Sequence, residues 1–150
     1  MNELDEQVIA EFRANDGMVN EALGGHFRGV NLLVLHHVGR RSGRAYTNPL
    51  MYVRIGDDLI LTGSNGGATD EPQWVANVEA MREVVVETAG RFIRTTPTVL
   101  RAGAERDRLY ETVVGYWSDM LMYETHTSRS FPVIRLTPTA AGDEPRGSES

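Results

Sequence analysis

Three short apolar segments, joined by glycine-containing turns, most constrain what this chain can fold into. Val30–Val38 carries apolar residues on both faces, Tyr46–Ile55 follows after one turn, and Leu59–Gly63 follows after another. Connections this short join antiparallel neighbours, because a parallel connection needs a crossover of about a dozen residues or more. The segments therefore predict an antiparallel meander, in which Pro49 marks an edge or bulge position.

Further segments extend this meander to about six strands and three helices. The other predicted elements are a helix over residues 3–14, a helix Gln73–Ala80, strands Val84–Thr88 and Arg91–Leu100, a long helix Ala104–Met122 and a last strand Phe131–Leu136. This order excludes a doubly wound parallel sheet, in which strands and helices alternate. It predicts a mainly β domain with helices (α+β), a small barrel closed by the last strand over residues 1–137. Residues 138–150, which are polar and rich in Pro, Gly and Ser, predict a mobile tail.

Length and residue usage exclude several classes of protein. A chain of 150 residues suits one domain whose core needs no covalent staples. The absence of cysteine excludes a disulfide framework, a thiolate zinc site, an iron–sulfur cluster and a cysteine nucleophile. The acidic start lacks the regions of a signal peptide, and no apolar run approaches the ~18 residues of a membrane helix. We therefore expect a cytoplasmic protein with no integral membrane segment.

The charge distribution indicates an anion site rather than a nucleic-acid surface. The net charge of −6 argues against nucleic-acid binding. Ala22–Gly56 nevertheless contains five arginines, including Arg28, and no acid, whereas Asp57–Gly90 contains seven acids and one arginine. A basic block of this kind is suited to an anionic ligand. The alternative is that folding brings acids of the second block beside these arginines.

The turn between the first two predicted strands carries the sharpest local motif, GRRSGR. Its glycines allow backbone N–H groups to approach an anion, and guanidinium forks match phosphate or carboxylate oxygens. The spacing differs from that of a Walker A phosphate loop, and no helix follows. The alternative interpretation is a solvated basic turn. The residues concerned are Gly39, Arg40, Arg41, Ser42, Gly43 and Arg44.

Other candidate residues are each weighed against an ordinary structural role. The loop SNGGATDEPQW, from Ser64 to Trp74, suits the wall of a flat-ligand site, although Trp74 alone suits a core. Trp117, Met120 and Tyr123 lie along one helical face, which is more often core than substrate site. Strand alternation points the adjacent His36 and His37 to opposite faces, so they cannot chelate one ion together.

Two further site classes receive no support from the sequence. No HExxH or DxD pattern occurs in the sequence, so we expect no metal. No G-x-S-x-G elbow occurs, so a serine hydrolase is unsupported.

Four segments at family-like spacing resemble the deazaflavin-dependent nitroreductase family, actinobacterial reductases that use coenzyme F420. They are FRANDG, LLVLHHVGRRSGRAYTNPLMY, GSNGGATDEPQWVANV and YETHTSRSFPVIRLTP, within residues 12–138. The resemblance implies a split β-barrel of the FMN-binding kind. It also implies F420 as cofactor, with FMN less favoured, and a small-molecule substrate. By fold analogy, the chain is a possible homodimer.

The same resemblance implies where the cofactor lies. The GRRSG turn would bind the phosphate and oligoglutamate tail, and the loop from Ser64 to Trp74 would lie beside the deazaflavin ring. The implied cofactor-binding residues are Arg40, Arg41, Ser42, Gly43, Arg44, Asn48, Pro49, Leu50, Tyr52, Ser64, Asn65, Trp74 and Asn77. The implied substrate-binding residues are Trp117, Met120 and Tyr123.

The chain departs from the family pattern at both ends of this implied site. Tyr46 stands where the family usually has Arg, and Asn65 where many members have Lys. Each change removes a cation that would meet the tail. Trp117 and Met120 stand at positions where the family often has tyrosine, and the pair of histidines replaces a Thr-rich strand end.

The resemblance, together with the basic turn, implies an F420H2-dependent reductase. It would transfer a hydride from the deazaflavin to a flat electrophile, such as a quinone, an enone or a nitro compound. Ser64, Tyr123, His36 and His37 are the candidate proton donors. Two alternatives stay open. One is a tailoring enzyme for a secondary metabolite, with altered or no cofactor use, and the other is a non-catalytic barrel that binds a small ligand.

Overall fold

The structure, a computed structural model, describes residues 3–15, 17 and 31–145. Its helices are α1 (Glu3–Ala14), α2 (Gln73–Glu79), α3 (Ala104–Tyr116) and α4 (Asp119–Glu124). Its strands are β1 (Leu32–Val38), β2 (Ala45–Met51), β3 (Val53–Ile55), β4 (Asp58–Thr62), β5 (Val84–Thr88), β6 (Arg91–Leu100) and β7 (Val133–Pro145). A 3₁₀ turn, Asn65–Gly67, follows β4. The predicted start of the first strand at Val30, and Arg28, lie outside the described residues.

The strands form one curled antiparallel sheet in the order β2-β1-β5-β6-β7-β4-β3. β2 and β3 lie at opposite edges of this sheet, yet only Tyr52 separates them in the chain. The sheet must therefore curl until its two edges approach each other, as in a half-barrel. The predicted mainly β, antiparallel architecture with helices is confirmed.

The strand count differs from the prediction because this curl divides one predicted strand. Tyr46–Ile55 was predicted as a single strand, and the structure breaks it at Tyr52 into β2 and β3, giving seven strands instead of six. β2 pairs with β1, whereas β3 pairs with β4. One short segment thus serves both edges, and the amide of Tyr52 donates to the carbonyl of Asn31 (3.1 Å).

The prediction of one long helix, Ala104–Met122, is wrong, because the structure has two helices in this region. α3 ends at Tyr116, Trp117 leaves helical geometry with φ −134° and ψ 86°, and α4 begins at Asp119. Gly115, a poor helix former, lies immediately before the break.

The final strand is longer than predicted. The prediction ended it at Leu136 and assigned residues 138–150 to a tail, but β7 continues to Pro145 and pairs with β6. The register shifts between Ile93 and Thr95, so an irregularity accommodates the extra residues. Ladder pairing uses main-chain groups, which polar composition does not exclude. Residues 146–150 lie outside the described residues.

The two faces of β1 show how the core is divided. Leu33 and Leu35 join the interior cluster, to which α2 contributes Trp74, Val75 and Val78. Leu32 and Val34 point the other way and pack with Val8, Ile9 and Phe12 of α1. A third cluster joins α3 and α4 to β3, β4 and β7 through residues such as Val113 and Met120. α1, α2 and the α3–α4 pair thus pack against different parts of the curled sheet.

A buried charge cluster ties α1 to the sheet. Glu87 of β5 is fully buried, and Arg13 of α1 donates to its carboxylate from Nε (3.1 Å) and Nη2 (2.6 Å). Nε2 of His36 lies 2.7 Å from the same carboxylate. Burial alone would raise the pKa of Glu87. The hydrogen bonds from His36 and Arg13 outweigh this effect and lower the pKa from 4.5 to about 2.

We expect Arg13→Ala to destabilise the fold and make it more sensitive to acid. Because the lowered pKa belongs to the folded state, the contribution of Glu87 is complete above pH 4.5 and lost as pH falls through about 2. Without Arg13, that loss occurs at higher pH. The half-exposed guanidinium is worth about 1–2 kcal/mol at neutral pH after discounting for solvent. Urea unfolding across pH measures this, with Arg108→Ala as the surface control. An unchanged acid midpoint would contradict it.

Candidate functional site

Two adjoining cavities form one groove along the curled sheet. Their volumes are about 560 and 500 Å³, within the range of small-ligand sites. Asn48, Asn65, Pro72 and Trp74 line both. We name the first cavity the basic end, further lined by His37, Gly39, Arg40, Arg41, Ser42, Tyr46, Gln73 and Asn77. The second is the aromatic end, further lined by Asp5, Pro49, Leu50, Met51, Thr62, Ser64, Trp117, Met120 and Tyr123.

The turn at the basic end is held by its own main chain. The amide of Gly39 donates to the carbonyl of Arg44 (2.8 Å), and the amide of Gly43 donates back to the carbonyl of Gly39 (2.9 Å). Gly43 has φ +71°, a conformation that side-chain-bearing residues rarely adopt. The hydroxyl of Ser42 accepts from the amide of Arg44 (3.1 Å). The backbone is therefore set before any ligand binds.

The arginines of this turn are exposed and keep their charge available. Among the residues that the structure describes, no ion pair involves Arg40, Arg41 or Arg44. Nη1 of Arg40 donates instead to neutral amide oxygens, those of Gln73 (3.1 Å) and Asn77 (2.9 Å). This arrangement leaves a positive charge at the mouth of a cavity, which suits an anionic ligand.

Four of the seven acids of the second sequence block, Asp57–Gly90, form ion pairs with arginines outside the basic turn. Arg101 bridges Glu71 (2.6 Å) and Glu79 (2.9 Å). Glu87 pairs with Arg13, and Asp58 lies 4.0 Å from Arg135. Within the described part of the chain, these pairings oppose the alternative that acids of this block neutralise the basic turn.

A chain of hydrogen-bonded polar side chains, in the order Asn77, His37, Asn48 and Asp5, crosses the groove between β1, β2 and α2. We call this chain the hydrogen-bond file. Nδ2 of Asn77 lies 3.1 Å from Nδ1 of His37, and Nε2 of His37 lies 2.7 Å from Oδ1 of Asn48. Nδ2 of Asn48 then donates to a carboxylate oxygen of Asp5 (3.3 Å). Burial lowers the pKa of His37, against the opposing effect of its bond to Asn48. His37 is therefore a neutral imidazole at physiological pH.

The aromatic end combines a flat wall with two hydroxyls. Pro49 and Leu50 of β2 line this end together with Trp117, which occupies the break between α3 and α4. Ser64 and Tyr123 supply the hydroxyls, and Ser64 is buried. Such a surface suits a planar ligand with a polar edge.

The loop after β4 is fixed by Arg129. Its guanidinium donates to four carbonyls, those of Gly63 (3.0 Å), Ser64 (2.9 Å), Ala68 (3.0 Å) and Asp70 (3.3 Å). The same guanidinium lies 4.9 Å from the centre of the Phe131 ring. One side chain thus holds the segment that carries Ser64 and Asn65 into the groove.

Gly67 sets how closely this loop approaches α4. It has φ +86°, and a Cβ there would lie 2.6 Å from the carbonyl oxygen of Tyr123. We expect Gly67→Ala to lower the free energy of unfolding by about 1–3 kcal/mol, because it combines backbone strain with a main-chain clash. Thermal unfolding measures this. Gly90→Ala, with φ +74° and nothing within 4 Å, is the matched control for strain without a clash. Equal effects of the two substitutions would contradict the close approach.

The structure brings most of the predicted site residues to the groove. Thirteen of the residues proposed as cofactor- or substrate-binding, or as proton donors, line it, namely Arg40, Arg41, Ser42, Asn77, His37, Asn48, Asn65, Trp74, Pro49, Leu50, Ser64, Trp117 and Tyr123. Met120 also lines the aromatic end, although it is mainly core and its sulfur lies 3.8 Å from Oγ1 of Thr62.

Four predicted site residues lie away from both ends of the groove. His36 points to Glu87 on the other face of β1. Tyr52 packs against the interior cluster, whereas Gly43 and Arg44 belong to the basic turn without lining the cavity. The histidine pair therefore divides, with only His37 at the groove.

Sequence reasoning missed residues that reach the groove from distant or unremarkable segments. Asp5 comes from α1, more than forty residues from its partner Asn48, and burial raises its pKa. No local signal marks it. Met51 and Thr62 are likewise ordinary strand residues. Pro72 and Gln73 lie within the loop from Ser64 to Trp74, so that motif could have identified them.

A metal site and a membrane-spanning helix find no support in the described part of the chain. No group of three or more His, Asp or Glu side chains there is placed to hold a metal ion. None of the described helices has both the length and the apolar character needed to span a bilayer.

Comparisons with known proteins show which family the chain resembles over most of its length. Residues 8–138 match the family model described as F420H(2)-dependent quinone reductase. Rv3178 of Mycobacterium tuberculosis, whose name places it among such reductases, is 32% identical over 117 residues, which cover 77% of this chain and 98% of that protein.

Solved structures share the fold. A structure described as an F420-H2 dependent reductase (FDR-A) has a TM-score of 0.63 and 27% identity, covering 70% of this chain and 92% of the other. A domain-swapped dimer has a TM-score of 0.65 and 25% identity, covering 87% and 94%. The chain therefore belongs to the F420H(2)-dependent quinone reductase family, oxidoreductases whose coenzyme is F420.

Proposed function

We propose that this chain binds reduced F420 along the groove and reduces a flat electrophile, with quinones as the first substrate class. One observation carries the proposal. A basic turn with no ion pair among the described residues opens into a cavity that continues to an aromatic wall. An anionic tail and a planar ring joined in one molecule match these two ends in order.

The basic end fits the tail of the coenzyme. Arg40 and Arg41 would hold phosphate or carboxylate oxygens, and Ser42 retains a hydroxyl hydrogen to donate. Because the main chain of the turn is already bonded, little ordering is required on binding. Because Tyr46 and Asn65 carry no positive charge, Arg40 and Arg41 would have to bind the anionic tail.

The aromatic end fits the deazaflavin ring and the flat substrate that would stack on it. Bound F420 supplies a hydride from C5 of the deazaflavin ring. Trp74, Pro49 and Leu50 would flank that ring, while Trp117 and Tyr123 would cover a flat substrate and exclude water. The protein would thus position the ring and the substrate and exclude water from them.

The protein must also deliver a proton to the oxygen or carbon that becomes negative. We assign this task to Ser64 or Tyr123, because both line the aromatic end. His36 is bonded to Glu87 outside the groove, and both ring nitrogens of His37 are engaged with asparagines. A positioned proton donor is worth about 10²–10⁴ in rate.

Turnover tests the proposal directly. Purified protein is mixed with reduced F420 and a quinone, a cyclic enone or a nitroaromatic, and the return of oxidised F420 is followed by absorbance. We expect quinone turnover, reduced about 10²-fold or more by Ser64→Ala or Tyr123→Phe, whichever residue donates the proton. F420 binding without turnover of any class would instead support a ligand-binding barrel. Binding of neither F420 nor FMN would support a tailoring enzyme that uses no such cofactor.

A homodimer is a separate part of the proposal. It is supported by the domain-swapped relative and by Leu121 and Met122, apolar side chains of α4 that are 54% exposed. Light scattering coupled to gel filtration tests it, and a monomer at micromolar concentration would contradict it.

A further inference from the structure

His37 has a fixed protonation pattern that the backbone dictates. The amide N–H of Arg40 donates to Oδ1 of Asn77 (3.1 Å), and Nη1 of Arg40 donates to the same oxygen (2.9 Å). A backbone N–H can only donate, so this contact fixes which end of the Asn77 amide is oxygen. Nδ2 of Asn77 must then donate to Nδ1 of His37.

The rest of the hydrogen-bond file follows from that one assignment. If Nδ1 of His37 accepts, its proton resides on Nε2, which donates to Oδ1 of Asn48 (2.7 Å). Nδ2 of Asn48 in turn donates to Asp5. Every donor in the file, from Arg40 to Asp5, therefore points the same way. Protonating Nδ1 would set two donors against each other and disrupt the file.

Packing restrains the ring as well as its protons. His37 is 5% exposed, and its ring stacks on Tyr46 with centroids 5.6 Å apart and planes 24° apart. His37 belongs to β1, Asn48 to β2 and Asn77 to α2, so one imidazole joins the three elements that form the basic end.

We propose that His37, as a neutral imidazole with its proton on Nε2, orients the amides of Asn77 and Asn48 and thereby aligns the basic turn with the ring-binding wall. Asn77 holds Arg40, at the end of the groove assigned to the tail. Asn48 lines both ends. His37 is thus a positioning residue that acts through its two neighbours, and its role in binding rests on the proposed function.

Two substitutions separate the two contacts. His37→Gln keeps a donor near the place of Nε2 and loses the acceptor for Asn77. His37→Asn keeps an acceptor near the place of Nδ1 and loses the donor to Asn48. The first should weaken F420 by about 3- to 10-fold and leave a tail-free 5-deazaflavin within about twofold, since one neutral hydrogen bond is lost. The second should weaken both ligands by about 3- to 10-fold.

Fluorescence titration measures these affinities, with the exposed His126→Asn as the matched control. Equal losses for both ligands in both variants would overturn the positioning role, since general damage to the fold gives that result. The control should leave both affinities unchanged.

The protonation pattern is tested without any ligand. Nitrogen NMR of the unliganded wild type at neutral pH should show a pyrrole-type Nε2 and a pyridine-type Nδ1 for His37. A protonated Nδ1, or a charged ring, would overturn the inference even if F420 binds. Conversely, the expected tautomer in a protein that binds no F420 would contradict the proposed function alone.

Discussion

The double variant Arg40→Ala/Arg41→Ala should lose F420 affinity by about 10²–10⁴-fold. Each guanidinium offers charge-assisted hydrogen bonds to phosphate or carboxylate, worth about 1.5–3 kcal/mol apiece, so the pair is worth about 3–6 kcal/mol. Both residues line the basic end, and neither has an ion pair among the described residues that a ligand would have to displace. Titration of the variant with oxidised F420 measures the loss.

The matched control removes the same charge elsewhere. Arg54→Ala/Arg82→Ala deletes two exposed arginines that line neither end of the groove. Long-range attraction of the anionic coenzyme should fall similarly in both variants, because it depends mainly on total charge. We expect the control to stay within a few-fold of wild type. Equal losses in both double variants would show that net charge, and not the turn, governs binding.

The second large effect is expected for Arg129→Ala, which should lower the free energy of unfolding by about 3–5 kcal/mol. The substitution deprives four carbonyls of a shared charged donor, and the loop that carries Ser64 and Asn65 loses its anchor. Denaturant unfolding measures the stability. The same loss should weaken F420, because Asn65 and Ser64 line the groove.

Arg129→Lys is the informative control for this prediction. An ammonium keeps the positive charge but cannot reproduce a planar fork directed at several carbonyls. Most of the destabilisation should therefore remain in the lysine variant. Full recovery with lysine would mean that charge alone matters, and a loss below about 0.5 kcal/mol in the alanine variant would contradict the anchoring role.

The local part of the fold could be predicted from the sequence. Apolar segments of strand length and short turns indicated an antiparallel, mainly β domain with helices, and the structure confirms it. The break at Tyr52 could not be predicted, because it arises from the approach of two sheet edges that no local pattern reports. The extension of β7 to Pro145 could not be predicted for a related reason, because the residues of β6 that pair with it, such as Arg91 with Pro145, lie far away in the sequence.

The candidate site likewise combines residues from continuous sequence segments, which could be predicted, with residues from distant segments, which could not. The basic turn and the Trp74 loop are each one continuous segment, so the residues of the turn indicated an anion site, and the family resemblance implied a cofactor groove along both segments. Asp5 and Arg129 act across the fold, through Asn48 and four loop carbonyls, and nothing near them in the sequence marks these contacts. Strand alternation correctly predicted that the two histidines point to opposite faces of β1. Only the structure shows that His36 bonds to Glu87 and that His37 bonds to Asn48 and Asn77.

Titration with the coenzyme is the sharpest test of whether the basic turn binds the anionic tail. Oxidised F420, a tail-free 5-deazaflavin and FMN are each titrated into the wild type at low and high ionic strength. We expect F420 to bind most tightly, and we expect its advantage over the tail-free ring to shrink as salt screens the basic turn. An F420 affinity equal to that of the tail-free ring at low salt would contradict the claim that Arg40 and Arg41 grip the anionic tail.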